Sequence, residues 1–148
     1  MQDKTLFVRV VSQEGEVFQG EALSVFCRSF GGDLGLYPQH SQLLSLLRPG
    51  AVRLTLPEGK EHVLYVSGGI LEVQPSMVVI LADVIERPED VDQAAALEAM
   101  EAAKALLAKG CSDLAENPES AAAYYEAQQN LAEASARLRV LGLARSSL

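Results

Sequence analysis

The chain has 148 residues, 49% of them hydrophobic, which is enough for the core of one or two small domains. Its formal net charge of −8 argues against sequence-independent binding to nucleic acid, which depends on lysine and arginine neutralising phosphates. No run approaches the roughly 20 apolar residues that cross a bilayer, and residues 1–5 lack the features of a signal peptide. We therefore expect a soluble protein without direct membrane insertion.

The amino-acid composition changes abruptly near Pro88. Residues 1–87 contain nine of the 11 glycines but only three alanines, whereas residues 88–148 contain 17 alanines and two glycines. A contrast of this kind marks a boundary between strand-rich and helix-rich structure. It predicts an N-terminal antiparallel β-sandwich, or flattened barrel, over residues 1–87, followed by a C-terminal antiparallel two-helix hairpin over residues 88–148.

Alternation of apolar and polar residues predicts strands in the first domain. Period two is seen over residues 6–11, and residues 52–56 and 62–66 flank a Pro-Glu-Gly-Lys turn, as in a hairpin. The apolar, β-branched run at residues 77–81 predicts a strand buried on both faces. Residues 39–47, with four leucines, are predicted to form a loop or a single helical turn that plugs one end of the sandwich.

The second domain carries signals for two helices. A proline and two acids at residues 88–90 suit a helix N-terminus and Gly110 suits a C′ position, which predicts a first helix over 91–109. Asn117 is a good N-cap for the second helix. Facing stripes comprise Ala96, Met100, Ala103 and Leu107 on the first helix, and Tyr124, Ala127, Leu131, Ala134, Leu138 and Leu141 on the second. Because alanine buries little area, we expect a weakly held, mobile hairpin.

No group of residues in the sequence predicts catalysis or a metal site. The two histidines are isolated, and spacings such as Cys-x-x-Cys are absent. We interpret His40 as a loop residue, His62 as a solvated strand residue and Cys27 as a buried small hydrophobe. Together with Cys111, in the predicted inter-helix loop, Cys27 is expected to be a free thiol in a reducing compartment rather than half of a disulfide.

Two features allow more than one interpretation. The glycine-rich residues 31–35 resemble a phosphate-binding loop but lack its Gly-Lys-Ser/Thr ending, so a tight turn is favoured. Arg137, Arg139 and Arg145 either complement the dipole at a helix C-terminus or form a basic tip that docks on an acidic partner. The residues alone favour the first interpretation, complementation of the helix dipole.

Several stretches carry a family signature. Residues 32–40 read Gly-Asp-Leu-Gly-Leu-Tyr-Pro-Gln-His, and Arg-Pro-Gly follows at 48–50. Residues 65–75 read Tyr-Val-Ser-Gly-Gly-Ile-Leu-Glu-Val-Gln-Pro, and Leu-Ala-Glu-Ala and Leu-Arg-Val occur within residues 131–140. Together these stretches, which span nearly the whole chain, resemble the epsilon subunit of bacterial and chloroplast F-type ATP synthases.

The resemblance implies a non-catalytic central-stalk subunit that needs no cofactor. Such a subunit binds the gamma subunit and the c-subunit ring, and couples proton or sodium flow to ATP synthesis in the catalytic hexamer. Its helices either fold on the sandwich or extend towards the catalytic alpha and beta subunits, where they inhibit ATP hydrolysis. The implied location is peripheral, at the cytoplasmic face of the inner (plasma) membrane.

The resemblance also implies roles for individual residues. The matching positions are Gly32, Asp33, Leu34 and Gly35 for contact with the c ring, Ser12, His40, Leu43, Leu44 and Ser45 for contact with the gamma subunit, and Arg137, Arg139 and Arg145 for the inhibitory tip. For those arginines the resemblance favours docking on an acidic partner over complementation of the helix dipole.

One motif of the family is incomplete in this chain. Several members bind ATP through Ile/Leu-Asp-x-x-Arg-Ala, of which this chain keeps Asp92 but has Ala95 in place of the arginine. Alanine makes no charge-assisted contact to phosphate, which argues against ATP sensing. A stand-alone nucleotide-sensing module is therefore the second hypothesis. An enzyme with a dispersed active site is the third, and the lack of a nucleophile–base pair counts against it.

Overall fold

The computed structural model describes residues 4–110 and 117–146. Within those ranges the strands are β1 (Leu6–Ser12), β2 (Gly15–Ala22), β3 (Ser24–Ser29), β4 (Gly32–Leu36), β5 (Leu43–Leu47), β6 (Gly50–Thr55), β7 (Glu61–Val66), β8 (Gly69–Gln74), β9 (Met77–Leu81) and β10 (Ile85–Glu86). A 3₁₀ turn at Pro88–Asp90 leads to α1 (Gln93–Ala108), and α2 spans Pro118–Ser146. None of the described helices is long and apolar enough to cross a membrane.

The strands form one sheet that folds over itself into a nearly closed sandwich. Its order is β10-β7-β6-β3-β5-β8-β9-β1-β2, with β4 paired to β3, and β1 runs parallel to β9. Successive side chains point to opposite faces, so Leu6, Val8 and Val10 lie in the core with no exposed surface. The predicted fold class, a β-sandwich followed by a two-helix hairpin, is confirmed.

Two segments differ from the sequence-based expectation. Residues 43–47 are not a helical turn but strand β5, paired with β8 from Leu43–Val73 to Leu47–Gly69. The sequence shows no alternation of apolar and polar residues here, because four of the five residues are leucine. Strand β9 is buried on one face only, because Val78 and Ile80 are in the core whereas Leu81 is exposed. Its apolar outer residues belong to an exposed surface rather than to a second core.

His62 is half-buried, whereas the prediction placed it in solvent. It shares the inner face of β7 with two core residues, Leu64 and Val66. Its ring lies 5.2 Å from the ring of Phe18, and its Nε2 is buried without a hydrogen-bond partner among the described residues. Burial lowers the pKa of His62, and the nearby charge of Arg87 acts in the same direction. The sequence could not distinguish the two faces of β7, because both are apolar.

Gly110 and Asn117 mark helix ends as predicted, but Pro88, Glu89 and Asp90 form a separate 3₁₀ turn instead of the start of α1. α1 begins two residues later than expected, because the Asp92 side chain caps it by accepting a hydrogen bond from the Ala95 amide at 3.0 Å. Gly110 follows its end with φ 87°, a conformation that favours glycine. At the start of α2, the Asn117 side chain accepts a hydrogen bond from the Glu119 amide at 3.0 Å, as predicted.

Helix α2 is buried along two stripes rather than one. Ala127 and Ala134, from the predicted stripe, are buried, and Ala134 lines the cleft shared with α1. Ala136 and Val140 are buried in a second cluster with residues of β7. The heptad pattern missed this second stripe, because a helix that packs on a sheet need not follow a coiled-coil repeat.

Candidate functional site

The described residues form an exposed apolar surface and several grooves. No cluster of three or more His, Cys, Asp or Glu side chains that could hold a metal occurs in the described ranges. His40 lies in a loop, with Nδ1 2.7 Å from the carbonyl oxygen of Ser41. Cys27 is buried, as predicted, and burial raises its pKa to about 12, so the thiol stays protonated and is a poor nucleophile. Cys111 lies outside the described residues.

An exposed row of apolar side chains crosses three neighbouring strands. Leu46 pairs with Ile70 and Ile70 pairs with Leu81, so the three side chains lie side by side on the outer face of the sheet. Leu44 extends the row along β5, and Phe30 lies beside it, donating its amide to the Leu46 carbonyl at 3.1 Å. All five side chains are between 45% and 73% exposed. We call these five residues the apolar face.

A glycine of the sequence signature sets the spacing of this face. Gly69 has φ 142°, a backbone conformation that residues other than glycine rarely adopt. A Cβ atom at this position would overlap the carbonyl oxygen of Leu81. Glycine therefore lets the start of β8 lie directly against the end of β9, which brings Ile70 beside Leu81.

The residues matched to the gamma contact fall at different places in the fold. Leu44 belongs to the apolar face, and Ser12 lines a shallow groove with Ile70 and Leu81 beside it. Leu43 points the other way and packs against the core. His40 precedes strand β5, and Ser45 lies on the same face of β5 as Leu43. The outward residues of the apolar face other than Leu44 were missed, because recognising them required treating residues 43–47 as a strand.

The residues matched to the c-ring contact form a strand rather than a tight turn. Gly32, Asp33, Leu34 and Gly35 lie in β4, which pairs antiparallel with β3 from Ser29–Gly32 to Val25–Leu36. The turn itself consists of Phe30 and Gly31. The hairpin of β3 and β4 therefore presents Phe30 at its tip, next to the rest of the apolar face.

Arg137 joins α2 to the sandwich. Its Nε donates to Glu86 Oε2 at 2.9 Å and its Nη2 to Glu86 Oε1 at 3.2 Å, while Nη1 lies 3.7 Å from Glu133 Oε2. The guanidinium also sits 4.3 Å from the centre of the Tyr65 ring, a cation–π contact. Burial alone would lower the pKa of Arg137, but its hydrogen bond to Glu86 and the neighbouring charges raise it above the ordinary value.

Tyr65 forms the floor of this contact. It has no exposed surface, and its hydroxyl oxygen has no hydrogen-bond partner among the described residues. Burial raises the pKa of Tyr65, which keeps the phenol neutral. Tyr65 and Val63 form the sandwich side of the cluster that buries Ala136 and Val140 of α2. The docked hairpin thus rests on a small apolar contact and the ion pair of Arg137.

The three arginines of α2 do not form a common tip in this docked conformation. Arg137 is held by Glu86. Arg145 donates from Nη2 to Gln93 Oε1 at 3.1 Å, near the start of α1. Arg139 is exposed beside another part of the sandwich. Residues two positions apart in a helix are separated by about 200° around its axis, so Arg137 and Arg139 point in nearly opposite directions.

The cleft between the helices and β10 is acidic. It has a volume of about 330 Å³ and is lined by four acids and one base: Glu86, Asp90, Asp92, Glu133 and Arg137. The base is already paired with Glu86, and Asp92 is occupied as the cap of α1. Ala95 lines the same cleft and contributes no charge. The negative charge of this cleft repels phosphate groups, so the cleft gives no support to nucleotide sensing.

The described residues form a sandwich with an exposed apolar face and a docked helical hairpin, which is the arrangement of a protein that associates with other chains. The family model described as the ATP synthase delta/epsilon chain β-sandwich domain matches residues 5–88, and that of the long α-helix domain matches residues 89–142. The chain therefore belongs to the ATP synthase delta/epsilon chain family and is a non-catalytic subunit of the synthase.

Individual relatives agree with this assignment. The ATP synthase epsilon chain of Nitrosococcus oceani is 42% identical over 144 residues, 97% of each chain. That of Neisseria meningitidis serogroup C is 45% identical over 140 residues, 94% of each chain. A chain in the cryo-EM structure of the Euglena gracilis mitochondrial ATP synthase OSCP/F1/c-ring shares the fold, with a TM-score of 0.78 at 18% identity over 93% of this chain and 82% of that chain.

Proposed function

We propose that this chain is the central-stalk epsilon subunit of an F-type ATP synthase. It couples proton or sodium flow through the c ring to ATP synthesis and inhibits ATP hydrolysis through its C-terminal helices. The apolar face carries this proposal, because an exposed surface of that kind on a small domain marks a site of protein association. The names of the relatives, and the OSCP/F1/c-ring assembly that contains the similar Euglena gracilis chain, support the same role.

In this proposal residues 1–87 are the anchor. The row Leu46, Ile70 and Leu81, with Leu44, meets the gamma subunit, and Ser12 and His40 lie towards its edges. Residues 32–35 carry the β3–β4 hairpin towards the c ring, with Phe30 at its tip. Both contacts lie on one continuous hydrogen-bonded sheet, which links the positions of the two partners. The subunit then sits peripherally, at the cytoplasmic face of the membrane that holds the c ring.

Residues 88–148 are the regulatory part. From α2 itself only Ala136 and Val140 are buried against the sandwich, with Leu143 partly buried, so the helix side of the contact contributes a small apolar surface. A switch needs two states within a few kcal/mol, and this packing is consistent with that condition. When the hairpin leaves the sandwich, Arg137 loses Glu86 and becomes available, with Arg139 and Arg145, to acidic loops of the catalytic alpha and beta subunits.

The anchor is tested by measuring the binding of the full chain to a complex of the gamma subunit and c ring. Replacing Leu46 with Glu places a charge in the centre of the apolar face and should weaken binding by about a hundredfold. The matched control is Leu106→Glu, because Leu106 is also about half exposed (52%) but lies on α1. Circular dichroism should show both variants folded. Wild-type binding by the Leu46→Glu variant, or equal loss in both variants, would contradict the proposal.

A further inference from the structure

A second groove lies between the sandwich and α2, on the opposite side of α2 from the acidic cleft. It has a volume of about 320 Å³, and three of its lining residues are arginines: Arg28 and Arg53 from the sandwich and Arg139 from the helix. Leu143, one helical turn after Arg139, lines it as well. The walls of this groove therefore come from both parts of the chain.

The neighbours of the two sandwich arginines fix their positions. Arg53 lies opposite Phe26 in the pairing of β3 with β6, and its guanidinium sits 5.3 Å from the centre of the Phe26 ring. The stem of Arg28 crosses Gly50, where a Cβ atom would lie 3.1 Å from Arg28 Cδ. Glycine at this position leaves room for the arginine stem. Both guanidinium groups are thus held at the groove by packing, which lowers the entropy cost of binding a ligand.

The charge of the groove is opposite to that of the whole chain. Three arginines face one acid, Asp33, which lies 3.3 Å from Arg28 Nε and is 81% exposed. Across the described ranges, neither Arg53 nor Arg139 belongs to a salt bridge. The local charge is therefore positive in a chain of net charge −8. Like charges in one groove repel each other unless an anion lies between them.

We propose that this groove binds a small phosphate-bearing anion, with Arg53 and Arg139 as its principal donors and Arg28 as a third. The planar guanidinium group donates two parallel hydrogen bonds to phosphate oxygens, which favours this ligand class over chloride. Because Arg53 belongs to the sandwich and Arg139 to the hairpin, the bound anion bridges the two parts. It therefore stabilises the docked hairpin by mass action. Any effect on ATP hydrolysis rests on the proposed function, but the binding itself does not.

The test is an NMR titration of the full chain with inorganic pyrophosphate at constant ionic strength. Saturable shifts are expected in residues 26–28, 51–53 and 139–143. Arg53→Gln and Arg139→Gln should each weaken binding about tenfold, the usual effect of losing one charge-assisted contact. Asp33→Asn should strengthen binding, because it removes the competing carboxylate beside Arg28.

Two matched controls lie outside the groove. Arg48 also places its guanidinium over a phenylalanine ring, 5.7 Å from the centre of Phe30, and Arg145 is an arginine of the same helix as Arg139. Arg48→Gln and Arg145→Gln should bind pyrophosphate like the wild type. The proposal is overturned if shifts do not saturate at millimolar pyrophosphate, or if the controls weaken binding as much as the groove variants. Since the titration uses the isolated chain, its failure would leave the rotor role untouched.

Discussion

Replacing Arg137 with glutamine should weaken the docking of the hairpin on the sandwich. The two hydrogen bonds to Glu86, at 2.9 and 3.2 Å, are charge-assisted, and the two side chains are 25% and 26% exposed. At this exposure they contribute about 1.5 kcal/mol. The cation–π contact with Tyr65 at 4.3 Å adds about 0.5 kcal/mol. A loss of about 2 kcal/mol shifts the docking equilibrium about thirtyfold.

Amide hydrogen exchange measures that shift directly. Away from the sandwich, α2 loses the packing that stabilises it, so its amides exchange from the undocked state. In the Arg137→Gln variant, exchange over residues 134–143 should accelerate about thirtyfold. The control is Lys104→Gln on α1, which breaks an exposed ion pair with Glu101 at 3.8 Å and should change exchange less than about twofold. Unchanged exchange in the Arg137→Gln variant would refute the role assigned to this contact.

Three further predictions concern the sandwich. Gly69→Ala should lower the free energy of unfolding by more than about 3 kcal/mol in urea titrations, because of the overlap with Leu81 and the strained φ; an unaltered midpoint would contradict this. Tyr65→Phe should leave stability unchanged or raise it by up to about 1 kcal/mol, because it removes a buried hydroxyl that has no hydrogen-bond partner among the described residues; a clear loss of stability would show that the hydroxyl does have a partner. The folded-state pKa of His62 lies below its ordinary value of 6.5, so the unfolded state takes up the proton first and stability falls as pH drops below about 6.5. His62→Gln should show a smaller fall between about pH 7.5 and 5.5, and an equal fall would exclude His62 as the cause.

Most of the features that could be predicted from the sequence depend on interactions between residues that are close together in the chain. The alternation at Leu6, Val8 and Val10 fixes which face of β1 is buried, whatever the strand pairs with. Asn117 and Gly110 mark helix ends, because capping depends on backbone groups a few residues away. These signals act over short distances in sequence and can be found without knowledge of the tertiary structure.

The parts that escaped prediction depend on contacts between distant segments. The alternation of Leu44 and Leu46 has meaning only once β5 pairs with β8, some 26 residues further along the chain. The contact of Arg137 with Glu86 joins residues 51 positions apart. In the sequence the arginine was one of three near a helix end, and nothing local separated it from Arg139. The apolar face and the hairpin contact were therefore visible only in the folded chain.

We propose that the sandwich anchors the subunit and that the hairpin inhibits ATP hydrolysis. The decisive measurement is ATP hydrolysis by a reconstituted catalytic complex, with the full chain or with a version truncated after Pro88. We expect both versions to bind the gamma subunit and only the full chain to inhibit hydrolysis. If both bind and neither inhibits, or if the truncated version inhibits as strongly as the full chain, the regulatory role assigned to the hairpin is wrong.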